Sequence, residues 1–311
     1  MADSHPSIGG LPLVLGGNVF GWTCDRDQSF AVLDAFYEAG GRMIDTAEGY
    51  TSFVPGNVGG ESETILGEWM ELRGIRGDML IGTKTNMFGT PGGLAPDKVA
   101  SALEGSLNRL RSDYVDLYYA HRDEDATTLD EITAGFDAAI KAGKARELGA
   151  SNYTPERLVA TIEAARQAGR TPFTVLQNEY NLVERSQFEG SFLEICAKYG
   201  VASMPYYGLA AGFLTGKYRT KADLEGKSRA ASVERAGYLE RGLPVLAAMD
   251  DVVSETGASH AQVAIAWLCA QPGIAAPIAS ATSLDQLAQL VAAVSLKLEP
   301  SQIERLNRAG Q

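Results

Sequence analysis

The chain has 311 residues, 45% of them hydrophobic and 21% charged, which is the composition of a soluble globular protein with a sizeable core. Its formal net charge of −12 argues against a surface that binds nucleic acid. Apolar runs stay below the roughly 18 residues of a membrane helix, so we expect no membrane association. Cys24, Cys196 and Cys269 are too widely spaced for a disulfide framework or a zinc site. Residues 1–10 lack the regions of a secretory signal, so we expect a cytoplasmic protein.

Short apolar runs alternate with amphipathic helical patterns from one end of the chain to the other. The apolar runs predict strands at residues 11–17, 42–47, 78–85, 114–121, 145–151, 173–180, 201–207 and 273–280. The amphipathic patterns predict helices at residues 25–40, 61–73, 96–110, 129–142, 155–168, 188–199, 243–256, 259–270 and 283–294, with a last helix from Ser301. Gly40 and Pro96 stand where helices commonly end and begin.

The eight strand-then-helix units define the expected fold class. Such units favour a parallel sheet, and eight is the number at which the sheet closes into a (β/α)8, or TIM, barrel. An open, doubly wound sheet is the alternative that periodicity does not exclude. Because no linker, composition shift or charge block divides the chain, we predict a single α/β domain over residues 1–311. A longer polar segment, residues 208–242, interrupts the rhythm after the seventh strand.

Several common functional signatures are missing from the sequence. No G-x-G-x-x-G follows a strand, so the Rossmann dinucleotide turn is absent. GFLTGK (212–217) resembles a P-loop, but its glycine spacing is one residue short and Tyr218 replaces the hydroxyl residue. No G-x-S-x-G elbow occurs, and the three histidines, His5, His121 and His260, do not form a paired metal motif. A carboxylate-based magnesium site stays open as an alternative.

Polar residues stand at the ends of three consecutive predicted strands. Asp45 ends the second strand, with Tyr50 five residues later, while Lys84 ends the third and His121 the fourth. Taken singly, each has an ordinary structural explanation, such as a helix cap for the aspartate or a solvated loop position for the lysine. Because catalytic groups of barrels lie at the carboxyl ends of strands, the four together predict one site at the barrel mouth.

The chemistry of these four residue types is coherent. A tyrosine hydroxyl has an ordinary pKa near 10, and a lysine ammonium beside Tyr50 is expected to lower that pKa. Asp45 would keep Lys84 charged and oriented, and His121 could donate a hydrogen bond to a substrate carbonyl. The set predicts an acid that protonates a carbonyl oxygen. Because no nucleophile is evident, a hydride from a nicotinamide would attack the carbon.

The chain resembles the aldo-keto reductase family over nearly its whole length. Lys84 and His121 fall where that family's lysine and histidine fall, and RMIDTAEGY is similar to its D-T-A-x-x-Y segment. The resemblance implies a (β/α)8 barrel that binds NADP(H) without a Rossmann domain. The segments that carry it are residues 42–50, GESETILG (60–67), GKARELGASNY (143–153), QNEYNLVER (177–185) and YYGLAAGFLTGKY (206–218).

The resemblance also implies roles for individual residues. Tyr50 would be the general acid and base, Lys84 and Asp45 its tuning pair, and His121 the group that orients the carbonyl. Ser151, Asn152 and Gln177 would hydrogen-bond the nicotinamide carboxamide, and the ring of Tyr206 would stack on the nicotinamide. The remaining predicted cofactor contacts are Leu209, Gly212, Lys217 and Arg219 for the pyrophosphate, then Ser280, Thr282 and Gln286 for the adenosine end.

Two features of the cofactor region leave alternatives open. Residues 276–293 contain no Lys or Arg, whereas the family often holds the 2′-phosphate with a basic residue there, so NADH is not excluded beside NADPH. Residues 216–241 hold seven Lys and Arg against four Asp and Glu, which suits a segment that covers the cofactor. A solvated mobile loop is the alternative for residues 208–242.

The apolar pocket for the substrate is predicted from loop aromatics. Phe20 and Trp22 follow the first strand, and Phe53 and Phe88 lie in later loops, where they could surround the carbonyl. Exposed single aromatics are common in loops, so a purely structural role is the alternative. No further residue is assigned to the substrate.

The favoured function is a cytoplasmic NADP(H)-dependent oxidoreductase that reduces an aldehyde or ketone to an alcohol, or the reverse. The alternative is a redox-sensing regulatory subunit that binds NADP(H) with negligible turnover, since potassium-channel β subunits are similar to this family. A metal-dependent barrel lyase or hydrolase is a third possibility, with only Asp45 and Glu179 as strand-end carboxylates. The expected partner is a small carbonyl or alcohol substrate, and the oligomeric state stays open.

Overall fold

The computed structural model describes residues 8–227 and 229–310. Residues 1–7, on which the expectation about a secretory signal rests, lie outside this range, as do Ser228 and Gln311. Across the described part of the chain, no helix combines the length and the apolar character that crossing a bilayer requires.

Eight short parallel strands form one sheet that closes on itself. The strands are neighbours in the order β7-β6-β5-β4-β3-β2-β1-β8. Backbone hydrogen bonds from Ala275 N to Ser203 O (2.8 Å) and from Ile278 N to Pro205 O (2.9 Å) join the two ends of this order. The predicted (β/α)8 barrel is therefore confirmed over the open sheet. The strands are β1 (Val14–Gly16), β2 (Met43–Asp45), β3 (Leu80–Thr85), β4 (Val115–Ala120), β5 (Ala145–Ser151), β6 (Val175–Gln177), β7 (Ala202–Ser203) and β8 (Ile278–Ala279).

Helices follow the strands at the positions that the periodicity predicted. Asp25 and Thr128 begin α1 and α4 through capping boxes with the residues three positions later, and Gly74 ends α2 at a φ of 67°. The helices are α1 (Arg26–Glu38), α2 (Glu61–Arg73), α3 (Pro96–Leu110), α4 (Leu129–Lys141), α5 (Pro155–Gln167), α6 (Leu193–Tyr199), α7 (Ala230–Arg235), α8 (Tyr238–Arg241), α9 (Leu243–Thr256), α10 (His260–Cys269), α11 (Leu284–Ala293) and α12 (Pro300–Ala309).

Two kinds of boundary differ from the prediction. The fifth strand has the predicted bounds 145–151, whereas the other strands are shorter than the apolar runs. For example, β7 keeps two residues of the predicted 201–207, because the residues beyond the paired centre turn into loops at the barrel rim. The predicted helix at 188–199 begins with a wider turn at Phe188–Phe192, in which Gly190 leaves the helical conformation, and becomes regular only in α6. The apolar runs therefore predicted where these two elements lie in the chain but not where they begin and end.

The segment at 208–242 packs on the barrel and forms short helical turns. It contains turns at Ala210–Thr215 and Lys221–Leu224 and the helices α7 and α8. Apolar side chains such as Phe213, Val233 and Tyr238 are buried against the rest of the molecule. The alternative of a fully solvated loop therefore does not describe these residues.

Candidate active site

The alternation of side chains along each strand carries the polar residues to the barrel mouth. Met43, Leu117 and Val175 belong to a small apolar cluster inside the barrel, whereas their chain neighbours pack against the helices. Because strand side chains alternate between the two faces, the residue two positions after Met43 or Val175 also points inward. Asp45, Lys84, His121, Ser151 and Gln177 all follow this rule at the carboxyl ends of their strands.

Lys84 is the centre of a buried hydrogen-bonded cluster. Its Nζ donates to Asp45 Oδ2 at 2.7 Å, to the backbone oxygen of Thr46 at 2.7 Å and to the hydroxyl of Tyr50 at 2.8 Å. The Tyr50 hydroxyl donates to Asp45 Oδ2 at 3.1 Å, and Gln177 Nε2 donates to Asp45 Oδ1 at 2.8 Å. All three ammonium protons are therefore used, and the position of the Tyr50 hydroxyl is fixed.

The electrostatics of Tyr50 differ from the expectation. Burial raises the pKa of Tyr50 well above its ordinary value, and the charge and hydrogen bond of Asp45 raise that pKa further. Burial lowers the pKa of Lys84, while Asp45 opposes that change. The predicted lowering of the Tyr50 pKa by Lys84 is therefore wrong, because desolvation of the phenolate outweighs a neighbouring ammonium that a carboxylate already offsets. Tyr50 is a protonated phenol at neutral pH and can act as a proton donor.

His121 lies edge-on to the ring of Tyr50, with the ring centroids 5.9 Å apart. Its Nδ1 atom is buried and has no hydrogen-bond partner among the described residues. Burial lowers the pKa of His121 well below its usual range, and the charges of Lys84 and Arg122 lower that pKa further. The imidazole is therefore neutral at pH 7 and has one N–H to donate and one nitrogen to accept.

Asn152 joins Ser151 and Tyr206 in one hydrogen-bonded network, whereas Gln177 is bound to Asp45. Asn152 Nδ2 donates to the backbone oxygen of His121 at 2.9 Å and to Ser151 Oγ at 3.0 Å. The Tyr206 hydroxyl donates to Asn152 Oδ1 at 2.9 Å, and burial raises the pKa of Tyr206. Asn152 adopts a left-handed φ of 54°, which asparagine tolerates better than most residues. This network holds the Tyr206 ring at the cavity wall.

An open cavity of about 990 Å³ begins at the barrel mouth and extends to α10 and α11. Tyr50 and His121 lie at one end, while Ser259 and Gln289 line the other. Its lining holds the cationic side chains Arg122, Lys217, Arg229 and Arg235. The predicted site residues that line it are Trp22, Asp45, Tyr50, Phe53, His121, Ser151, Asn152, Gln177, Tyr206, Leu209, Gly212, Lys217, Ser280, Thr282 and Gln286.

Four predicted site residues do not line this cavity. Lys84 lies behind Tyr50, completely buried. Arg219 pairs with Asp250 at 2.7 and 2.9 Å, and its guanidinium lies 3.2 Å from Nε2 of His260, which lines the cavity. Phe20 is completely buried in the core, because the chain turns inward after β1, and the prediction that it walls the substrate pocket is wrong. Phe88 is 69% exposed on a loop outside the lining.

The lining also contains residues that the sequence reasoning missed. Gln289 lies three residues after Gln286 on α11, so the two side chains share one face of the helix. The helical period could therefore have predicted Gln289 from Gln286. Arg229 and Arg235 belong to residues 216–241, where the excess of Lys and Arg predicts a cationic segment but does not single out individual side chains. No sequence pattern predicted the other lining residues, because only the fold brings them together. They include Asn18, Met87, Arg122, Tyr207, Ser232, Ser259 and His260.

The described part of the chain does not bring together three His, Cys, Asp or Glu side chains that could hold a metal ion. Asp45 is bound by Lys84 and Gln177, and Glu179 accepts a hydrogen bond from the Tyr238 hydroxyl at 2.8 Å. The two strand-end carboxylates are thus each engaged by neighbouring side chains.

Comparison with known proteins was made over the whole chain. A sequence model of the Aldo/keto reductase family matches residues 12–311. The chain is 33% identical to an aryl-alcohol dehydrogenase (NADP(+)) of Phanerodontia chrysosporium, over 92% of this chain and 76% of that protein. It is 30% identical to a probable voltage-gated potassium channel subunit beta of Oryza sativa subsp. japonica, over 94% and 90%. It is 29% identical to a norsolorinic acid reductase of Aspergillus flavus, over 96% and 77%.

Proposed function

The chain belongs to the aldo/keto reductase family, and from that premise we propose that it is an NADP(H)-dependent oxidoreductase that interconverts a carbonyl compound and its alcohol. One observation carries the proposal. The Tyr50 hydroxyl is held by Lys84 and Asp45 at the end of a cavity, beside a neutral His121. This arrangement suits delivery of a proton to a carbonyl oxygen.

Tyr50, Lys84 and His121 have separate roles in the proposed carbonyl reduction. Tyr50 gives its proton to the carbonyl oxygen, and the Lys84 ammonium, 2.8 Å from the hydroxyl, stabilises the phenolate that remains. His121 donates a hydrogen bond that fixes the direction of the carbonyl. When bound in the cavity, a nicotinamide would be the source of the hydride that the carbonyl carbon needs. In the oxidative direction, the Tyr50 phenolate takes the proton back from the alcohol.

The cavity fits an elongated anionic cofactor. It runs from the barrel mouth, past the flat ring of Tyr206, to polar groups on α11. Lys217 and Arg229, both from the segment at 208–242, give it positive charge for phosphate groups, and we propose that this segment covers the cofactor. Ser280, Thr282 and Gln286 would meet the adenosine end. A relative whose name specifies NADP(+) supports NADPH over NADH, and parallel titrations with both cofactors test that choice.

Replacement of Tyr50 with phenylalanine tests the function directly. We expect NADPH affinity to change less than twofold, because the ring stays in place, while turnover of aldehydes falls at least about a hundredfold. NADPH binding is measured by quenching of intrinsic fluorescence, and turnover by NADPH absorbance. Undiminished turnover in this variant would remove Tyr50 from its role.

A regulatory subunit is the second candidate, and the relative from Oryza sativa is the observation that favours it. The two functions differ in turnover rather than in cofactor binding. A screen of aldehydes and ketones with NADPH and with NADH separates them. Steady turnover of any carbonyl supports the enzyme, whereas tight NADPH binding without turnover supports the regulatory subunit.

We also propose that the protein works in the cytoplasm. Cys24, Cys196 and Cys269 are free thiols, and burial raises the pKa of Cys196 to about 12 and of Cys269 to about 11. Free thiols with raised pKa values agree with a reducing compartment. Fractionation of cells that make the protein, followed by immunoblotting, tests the location.

A further inference from the structure

The charge of the cavity is opposite to the charge of the protein. Among the described residues, its lining holds Arg122, Lys217, Arg229 and Arg235 but a single carboxylate, Asp45, which is already hydrogen-bonded on both oxygens. The chain as a whole has a formal net charge of −12. Cations gathered in one cavity of an acidic protein raise the local concentration of anionic ligands.

The four cations stand on two sides of the cavity. Lys217, Arg229 and Arg235 belong to the segment after β7 and line the cavity together with residues of α10 and α11. Arg122 directly follows β4, and the strand order places β4 across the ring from β8. The cofactor phosphates of the proposed function account for the first group. Arg122 lies at the other end of the cavity, beside His121.

Arg122 has no acidic partner in the described part of the chain. Its side chain is exposed, and its side-chain contact is a weak one, from Nε to the backbone oxygen of Met87 at 3.4 Å. The next residue, Asp123, pairs instead with Arg157 at 2.7 Å. Arg122 directly follows His121 in the chain and lines the same cavity as Tyr50, His121 and Tyr206.

Apolar and aromatic groups line the same cavity, and the guanidinium of Arg229 lies over the ring of Trp22, 5.3 Å from its centroid. The rings of Trp22 and Phe53 meet edge to face at 5.2 Å, and Phe53 is 55% exposed. Met87 and Tyr207 also line the cavity. A substrate here would meet a flat apolar wall and an unpaired guanidinium, both within the space that opens onto Tyr50.

Resting on the proposed function, we propose that Arg122 determines specificity for aromatic carbonyl substrates that carry a carboxylate. The guanidinium would hold the carboxylate in a charge-assisted hydrogen bond while the carbonyl lies against Tyr50 and His121. Arg122 acts on substrate binding and takes no part in proton transfer. The substrate class is therefore an aryl aldehyde or ketone with an acidic substituent, or the corresponding alcohol.

Two aldehydes of the same shape test this role, 4-formylbenzoate and 4-formylbenzamide. In the wild-type holoenzyme, kcat/KM should be higher for the benzoate. Arg122→Gln should lower the ratio of the two kcat/KM values by about tenfold, mainly through KM of the benzoate, and Arg122→Lys should restore part of it. Arg308→Gln, on the outer helix α12, removes the same charge far from the cavity and should leave the ratio unchanged.

The results that would overturn the role of Arg122 differ from those that would overturn the proposed function. An Arg122→Gln variant with the wild-type ratio, or an Arg308→Gln variant with an equal fall, would overturn the role of Arg122. If the wild type turns over neither aldehyde, the proposed function has failed on these substrates, and binding decides the role of Arg122.

Trp22 lines the cavity while Trp69 and Trp267 are buried, so fluorescence quenching by the two aldehydes, with Trp22→Phe as control, reports binding. Equal affinity of Arg122→Gln and wild type for the benzoate would overturn the proposal.

Discussion

At the scale of single residues, the barrel mouth depends on one buried lysine. The Lys84 ammonium uses its three protons on Asp45, Thr46 and Tyr50. An isolated ammonium in a protein interior costs several kcal/mol in lost hydration, so the lysine is tolerated only because these partners surround it. The contacts that satisfy the charge are also those that hold the Tyr50 hydroxyl, which links stability and function at this point.

Lys84→Met should lower the free energy of unfolding by about 3–5 kcal/mol, because the Asp45 carboxylate then stays buried without its cation. The double variant with Asp45→Asn should lose clearly less, since no unpaired charge remains. Urea unfolding of the wild type, both single variants and the double variant measures the coupling. Additive losses would show that the two side chains do not stabilise each other.

Stability should also depend on pH through His121. Burial, with Lys84 and Arg122, lowers the pKa of folded His121 well below the value near 6.5 of an unfolded histidine. Between those two values the unfolded chain binds a proton that the folded protein does not. The contribution of His121 is therefore complete above about pH 6.5 and falls by up to about 1.4 kcal/mol per pH unit below it.

The variant His121→Asn lacks this titration, so the stability of the wild type relative to the variant should fall as the pH drops below about 6.5 and stay constant above it. Urea unfolding at several pH values between about 5 and 8 measures that difference. Parallel curves for the two proteins across this range would contradict a lowered pKa of His121.

At the scale of elements, the segment at 208–242 combines apolar anchors with a cationic inner face. Phe213 and Val233 are buried, and Arg219 ties the segment to Asp250 on α9. Gly216 has a φ of 78°, and a Cβ at that position would lie 3.1 Å from the ring of His260, so the turn there needs glycine. The segment is thus held in place while Lys217 faces the cavity.

Lys217→Met should weaken NADPH binding about tenfold, because one charge-assisted contact to a phosphate is lost. Lys221→Met is the matched control, since Lys221 lies in the same segment but does not line the cavity, and its affinity should match that of the wild type. Fluorescence titration with NADPH measures both. An equal loss in the two variants would indicate a general charge effect instead of a specific contact.

At the scale of the whole molecule, the closed barrel makes the site a property of the entire chain. Strands from β2 to β6 each contribute a mouth residue, and the ring closes only when the segment before β8 pairs with β7. A ligand that spans the cavity from the mouth to α11 therefore contacts elements from both ends of the chain, and its binding energy adds to the stability of the fold.

NADPH at about 100 times its Kd should stabilise the protein by about 2.7 kcal/mol, which for a chain of this size raises Tm by about 4 °C. Thermal scans with NADPH, NADH and neither cofactor measure the effect. A larger rise with NADPH would support that cofactor, whereas no rise with either would contradict dinucleotide binding.

The order of elements was predictable because it follows from local periodicity. Apolar runs and helical patterns located eight strands, and position at strand ends singled out Asp45, Tyr50, Lys84 and His121. The exact ends were not predictable, as in β7, because hydrogen-bond pairing decides them. Phe20 shows the same limit, since an aromatic residue after a strand is equally compatible with a pocket wall and with the core, where it lies.

By itself, the sequence determined the eight strand-then-helix units, the family resemblance and the residue types at the strand ends, since these depend on pattern along the chain. Tertiary structure alone decided that the sheet closes, that burial and Asp45 raise the pKa of Tyr50, and that Asp250 engages Arg219. It also decided that Arg122 lines the cavity without an acidic partner among the described residues. The physical reason is that burial and charge pairing depend on groups far apart in the chain, and only the closed barrel brings those groups within a few ångströms of each other.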